Sequence, residues 1–139
     1  ETAAEVAALL PPGAAAGILA TAGTVRAGLY QDALAAAGLR ALVPGPDAQA
    51  QVTAAIAAVK AGDLSRATTE KALVAAQELI ERGAGALLAA CTELPLILHP
   101  SDVSVPLIDP TAVLARAAVR AARDARSLPE GVTPDAVRT

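Results

Sequence analysis

The one cysteine of this sequence, Cys91, stands in the run Ala90-Cys91-Thr92-Glu93 and is the side chain best suited to moving a proton. The next residues, Thr92-Glu93-Leu94-Pro95, read as the opening of a helix. A thiol at such a start has its thiolate favoured by the helix dipole, and its pKa falls below the ordinary value of about 8.5. Without further context a free cysteine is more often inert packing, and Glu93 a first-turn acid that complements the dipole. A second group is Thr21-Ala22-Gly23-Thr24. Backbone N–H groups and two hydroxyls at a helix start make a small anion site, suited to a carboxylate. Spacing alone favours the plainer role of a tight turn with a threonine cap. The run has neither the lysine of a P-loop nor the three glycines of a dinucleotide turn.

Four further features have a plain role, and Lys60 and the arginine stripe a chemical one as well. Lys60, in Val59-Lys60-Ala61-Gly62-Asp63, offers a cation over a site, yet its spacing also fits a last-turn lysine before a terminating glycine. Asp109, just before Pro110, is a helix cap. His99 precedes Pro100 in a loop, with no partner nearby in sequence. Arg116, Arg120, Arg123 and Arg126 form one helical stripe, either a solvated face or a docking surface for something outside the chain.

The elements that must hold these residues follow from apolar runs and their stop signals. A helix is expected at 2–10, halted by Pro11-Pro12-Gly13, and a buried strand at 15–20 feeding the threonine turn. Helical spacing of Val25, Leu29 and Leu34 predicts one helix over 25–37, ended by Gly38. A second strand is expected at 39–43. Asp47 is expected to cap a helix reaching Lys60, and a further helix covers 65–82. The third and fourth strands fall at 84–90 and 105–108, and a last helix runs from Asp109-Pro110 to about Arg126. Apolar strands alternating with helices imply an α/β fold, a three-layer doubly wound domain with a mostly parallel four-stranded sheet. Ligands of such folds bind beyond the carboxyl ends of the strands, where Thr21 to Thr24 and Cys91 to Glu93 both fall. Residues 1–109 then form the domain with a leading helix, 110–126 a returning helix, and 127–139 a loose tail.

Composition narrows the function. With 139 residues the chain makes one domain, and 54% of it is hydrophobic. A net charge of −3 and a single tyrosine, Tyr30, give no footing for nucleic acid. No apolar run reaches the roughly 20 residues that span a bilayer. A lone cysteine excludes a disulfide-stapled secreted class, which makes the cytoplasm the expected compartment. The sequence holds no methionine and begins at Glu1, as a trimmed or processed piece would.

Taken in order, several runs resemble the aspartate/glutamate racemase family. They are Gly17-Ile18-Leu19-Ala20-Thr21-Ala22-Gly23-Thr24-Val25, Gly28-Leu29-Tyr30-Gln31, Pro44 with Gln49, and Val59-Lys60-Ala61-Gly62. Arg82-Gly83-Ala84, Cys91-Thr92-Glu93-Leu94-Pro95-Leu96 and Val105-Pro106-Leu107-Ile108-Asp109-Pro110 complete the series. The resemblance implies an enzyme of two α/β lobes, of which this chain is the second, with an amino acid or dicarboxylate held between them. It implies a catalytic acid/base at Cys91, opposed by a thiol of a first lobe that lies outside this chain, and no cofactor or metal. It gives substrate-binding roles to Thr21, Thr24, Thr92, Lys60 and Glu93. Glutamate after Cys-Thr, where glutamate racemases have histidine, points to the aspartate type. Two positions depart from the family pattern: Ala90 replaces a glycine, and Gly45-Pro46-Asp47-Ala48 replaces a more acidic stretch. The resemblance also implies a homodimer. With one cysteine, the chain on its own is expected not to invert Cα. The alternatives are a relative acting on hydantoins, maleate or arylmalonates, or an inactive carboxylate-binding module.

Overall fold

Four strands pair in the order β2-β1-β3-β4, and every pairing is parallel. They are β1 (Ala15–Leu19), β2 (Arg40–Leu42), β3 (Ala84–Ala89) and β4 (Leu107–Ile108). Parallel neighbours require crossovers, and helices supply them. These are α1 (Thr2–Leu9), α2 (Ala22–Ala27), α3 (Leu29–Ala36), α4 (Pro46–Lys60), α5 (Arg66–Glu81) and α6 (Pro110–Arg126). The computed structural model describes residues 1–126, and the tail expected at 127–139 lies outside them. The expected three-layer α/β architecture is the one observed, with a sheet that is wholly parallel.

Both faces of the sheet are covered, which explains why its strands read as unbroken apolar runs. On one face Leu19, Leu87 and Ala89 pack against Val52 and Ile56 of α4 and Ala72, Ala76 and Leu79 of α5. On the other, Ala16, Ile18, Ala86 and Leu88 meet Val6 of α1, Leu34 of α3 and Val113 of α6. Much of the buried surface of α5 is alanine and threonine, so Leu79 supplies the bulk there. Gly17 of β1 is the small residue that lets Leu79 in. A Cβ at that position would stand 2.7 Å from Leu87 Cδ2 and 2.9 Å from Leu79 Cδ1.

The structure departs from the sequence reading in four places. The single helix expected over 25–37 is two. Thr21 starts α2 early, and Gly28, at φ 73°, ends it and begins α3. Helical periodicity survives that break, so spacing could not reveal it. Asp47 is not the cap of α4. Gly45 is, with Pro46 at the first helical position, and the Gly45 amide donates to Glu78 Oε1 at 2.8 Å. Each strand is also shorter than expected, β4 most of all, because it begins only at Leu107, with Val105 and Pro106 outside its two-residue pairing. Finally, the helix expected after Cys91 is only a three-residue 3₁₀ turn, Leu94–Leu96.

The gap at Gly17 predicts a stability effect. Gly17→Ala should lower the urea-unfolding free energy by about 1–3 kcal/mol, the usual cost of overpacking. Leu79→Ala alone should cost about 2–5 kcal/mol. The double variant should lose less than the sum, because the truncated Leu79 leaves room for the new methyl. Strict additivity would show that the two positions do not compete for space.

Candidate active site

The carboxyl ends of β1 and β3 lie side by side in the middle of the sheet. The Ala90 amide donates to the Leu19 carbonyl at 2.8 Å, and beyond that bond the two chains part. One continues into Thr21 and α2, the other into Cys91. Parallel pairing therefore brings the two candidate groups, 70 residues apart by their numbers, to one edge.

Cys91 is partly buried. Its Sγ donates to Glu93 Oε2 at 2.8 Å, and Thr92 Oγ1 donates to the same oxygen at 3.1 Å. Burial pushes the Cys91 thiol above its ordinary pKa, and the Glu93 carboxylate adds to the rise by accepting the thiol proton and by its charge. The Glu93 backbone and the positive charge of Lys60 pull the other way. Glu93 itself is held below the usual carboxylate range, chiefly by the bond from Cys91, with Thr92 and Lys60 contributing. The two shifts agree that the proton rests on sulfur. This reverses the expectation of a lowered thiol pKa. That expectation needed the dipole of a helix at this point, and the short turn with a carboxylate two residues on supplies the opposite field.

Thr21 is the cap of α2. Its Oγ1 accepts from the Thr24 amide at 3.1 Å and donates to Thr24 Oγ1 at 3.0 Å. The plainer reading of this turn is thus the geometry found. The hydroxyl proton of Thr21 is committed, and that of Thr24 is the one left to meet a ligand. Lys60 is exposed at the end of α4, with no ion-pair partner among the described residues, and its charge acts on both Cys91 and Glu93.

Asp109 caps α6 as expected, accepting from the Thr111 amide at 2.9 Å. Its charge and, more strongly, burial raise the Tyr30 pKa. His99 is less isolated than its sequence context suggests. It opens the short turn Pro100–Asp102, and its amide donates to Asp102 Oδ2 at 2.8 Å. A cleft of ≈ 180 Å³ between the ends of β3 and β4 is bordered by Leu98, His99, Leu107 and Asp109. A wider groove, ≈ 380 Å³, runs along α6 past Arg116, Arg120 and Arg123, away from the cysteine. Two stripe arginines are engaged with α1: Arg116 with Glu5 at 2.8 Å and Arg120 with Glu1 at 2.9 Å. Two glutamines reach the site unforeseen as contributors. Gln49 Nε2 donates to the Ala20 carbonyl at 2.9 Å, and Gln31 Nε2 to the Val25 carbonyl at 2.8 Å. The only sequence signal for either was its place in the racemase-like runs. Among the described residues, no group of three or more His, Cys, Asp or Glu side chains is placed to hold a metal, and no helix is long and apolar enough to cross a membrane.

The doubly wound domain thus gathers a cysteine, a carboxylate and hydroxyls at its central strand ends. Residues 1–118 match the family described as Asp/Glu/Hydantoin racemase, and the chain belongs to that family. Its fold is similar to that of an aspartate racemase from Picrophilus torridus, with 27% identity, a TM-score of 0.72, and coverage of 87% of this chain and 49% of that one. A candidate Asp/Glu racemase from Yersinia pestis is 26% identical with a TM-score of 0.78, over 87% of this chain and 53% of that one. An aspartate racemase homologue from Pyrococcus horikoshii shares the fold, with a TM-score of 0.76, 24% identity, and coverage of 88% and 53%. Among curated proteins, an uncharacterized protein from the pnlA 3′ region of Pectobacterium carotovorum subsp. carotovorum is 39% identical over 83 residues, 60% of this chain and 55% of that protein. The chain thus spans about half the length of the relatives it matches.

The thiol's environment can be read by alkylation. The pH midpoint for iodoacetamide reaction at Cys91 should lie above the ordinary thiol value of about 8.5. Glu93→Gln should move it down by removing a negative charge, and Lys60→Ala should move it up by removing a positive one. Because the folded thiol holds its proton more tightly than the unfolded one, its contribution to stability is complete below the unfolded pKa. It is lost as pH rises through the folded value. A midpoint at or below the ordinary value would contradict the geometry.

Proposed function

We propose that this chain is the second lobe of a cofactor-independent, two-base amino-acid racemase of the aspartate/glutamate type, with the substrate held between it and a first lobe outside this chain. The observation that carries this reading is the 2.8 Å contact between Cys91 Sγ and Glu93 Oε2 at the carboxyl end of β3. It stores a proton on a sulfur at the sheet edge where α/β folds bind ligands. Inversion needs an acid and a base on opposite faces of Cα, with matched proton affinities.

In one direction a thiolate of the first lobe removes the Cα proton. The electron pair left on Cα delocalises into the substrate carboxylate, and the Cys91 thiol gives its proton to the other face. Turnover leaves Cys91 as the thiolate and the opposing group protonated. The other enantiomer runs the same steps backwards, with the Cys91 thiolate as base. Lys60 stabilises that thiolate and offsets the charge of a dicarboxylate such as aspartate, while Glu93 favours the thiol. Lys60 thereby limits the rise that burial and Glu93 produce and brings the thiolate closer in energy to the thiol. The free hydroxyl proton of Thr24 suits a substrate carboxylate, with Thr21 supporting Thr24 from behind, while the Thr92 hydroxyl, whose proton goes to Glu93, is left to accept from the substrate ammonium. Glu93 offers a counter-charge to the substrate ammonium.

Two measurements test this. In the enzyme carrying both lobes, Cys91→Ala should reduce racemisation of aspartate by at least about 10²–10⁴-fold, the range of acid–base contributions. Racemisation that survives the substitution would sink the assignment. The 139-residue chain alone should not invert aspartate or glutamate, since it holds one thiol. The matching family description also covers hydantoins. Turnover of a hydantoin in place of either amino acid would transfer the same acid/base role to that substrate.

A further inference from the structure

Gln49 takes no part in the proton transfers above, yet it meets the site where the two central strands separate. The Ala20 residue whose carbonyl it holds is fully buried and lies between β1 and the Thr21 cap. The ladder ends one residue earlier, because Leu19 takes the Ala90 amide and the chain after β3 turns away at Cys91. A buried carbonyl left there without a donor would be costly, and α4 sends one side chain across to supply it.

At the far end of α2, Gln31 of α3 adds a second donor to the Val25 carbonyl, which also accepts from the Gly28 amide. That helix has six residues, none of them buried, so packing alone does little to fix its direction. Two carboxamides, one from each helical layer, pin its two ends. Each leaves its Oε1 buried without a protein partner among the described residues. A side chain present only to fill space would do better without that oxygen. The choice of glutamine is explained by the one bond each makes.

We propose that Gln49 is a positioning residue. By holding the Ala20 carbonyl it sets the direction in which the Thr21–Thr24 turn leaves β1, and so sets the Thr24 hydroxyl against the α-carboxylate of the amino-acid substrate. The substrate part rests on the racemase reading, whereas the positioning of the turn does not. Gln49→Met tests it, since methionine keeps the length and bulk, removes the donor and removes the unpaired oxygen. In this chain, hydrogen exchange of the Thr24 amide should become at least about tenfold faster, while the Ala90 amide keeps its protection and the Cys91 alkylation midpoint stays unchanged. In the enzyme with both lobes, KM for the amino acid should rise about tenfold with kcat little altered. Unchanged exchange at Thr24, or loss of protection at Ala90 as well, would reduce Gln49 to ordinary packing. An unchanged KM beside faster exchange would overturn the link to substrate. Failure of the unsubstituted two-lobe enzyme to turn over any amino acid would overturn the racemase reading instead, and leave the exchange result to decide the positioning role.

Discussion

The bond from the Ala90 amide to the Leu19 carbonyl, 2.8 Å long, is the constraint on which the rest of the site depends. It closes the β1–β3 ladder, and it fixes how far Thr21 and Cys91 stand from each other when their chains diverge. The ladder itself rests on core packing. Gly17 must be small so that Leu79 and Leu87 can fill the space over β1, and both faces of the two central strands are covered by apolar helices. A parallel sheet has the further consequence that carboxyl ends collect on one edge. Chemistry at that edge is therefore positioned by buried backbone rather than by loops alone.

Electrostatics then decides what the cysteine is. A thiol at a helix start and a thiol beside a carboxylate look alike in a sequence of four residues, but they titrate in opposite directions. Here burial and Glu93 hold the proton on sulfur, and Lys60 opposes them from the end of α4. The sum of these effects is a raised thiol pKa, so Lys60 moderates the rise without reversing it.

The remaining helices frame the domain. The one buried residue of α6 is Val113, and from Ala118 onward every described residue is exposed. Asp109 caps its first turn, and two arginines pair with Glu5 of α1 and with Glu1 just before it. Exposed ion pairs of this kind contribute only about 0–1 kcal/mol each. Seating of α6 therefore depends mostly on Val113 and the cap.

Sequence alone determined the fold class, the order of helices and strands, and the family. Those properties are written in apolar period, in glycine and proline stops, and in short runs such as Cys91-Thr92-Glu93-Leu94-Pro95. It also named Thr21, Thr24 and Lys60 as residues to watch. It did not show the break at Gly28, because two helices joined by one left-handed glycine keep the spacing of a single helix. Nor did it show Gln49 or Gln31 as props of α2, since each acts on a carbonyl brought to it by folding. The direction of the Cys91 shift was likewise beyond it. Charge and burial act through space, and only the folded chain sets the depth of the sulfur and the distance to Glu93. Local pattern is a property of neighbours in sequence, whereas a proton's resting place is a property of neighbours in space.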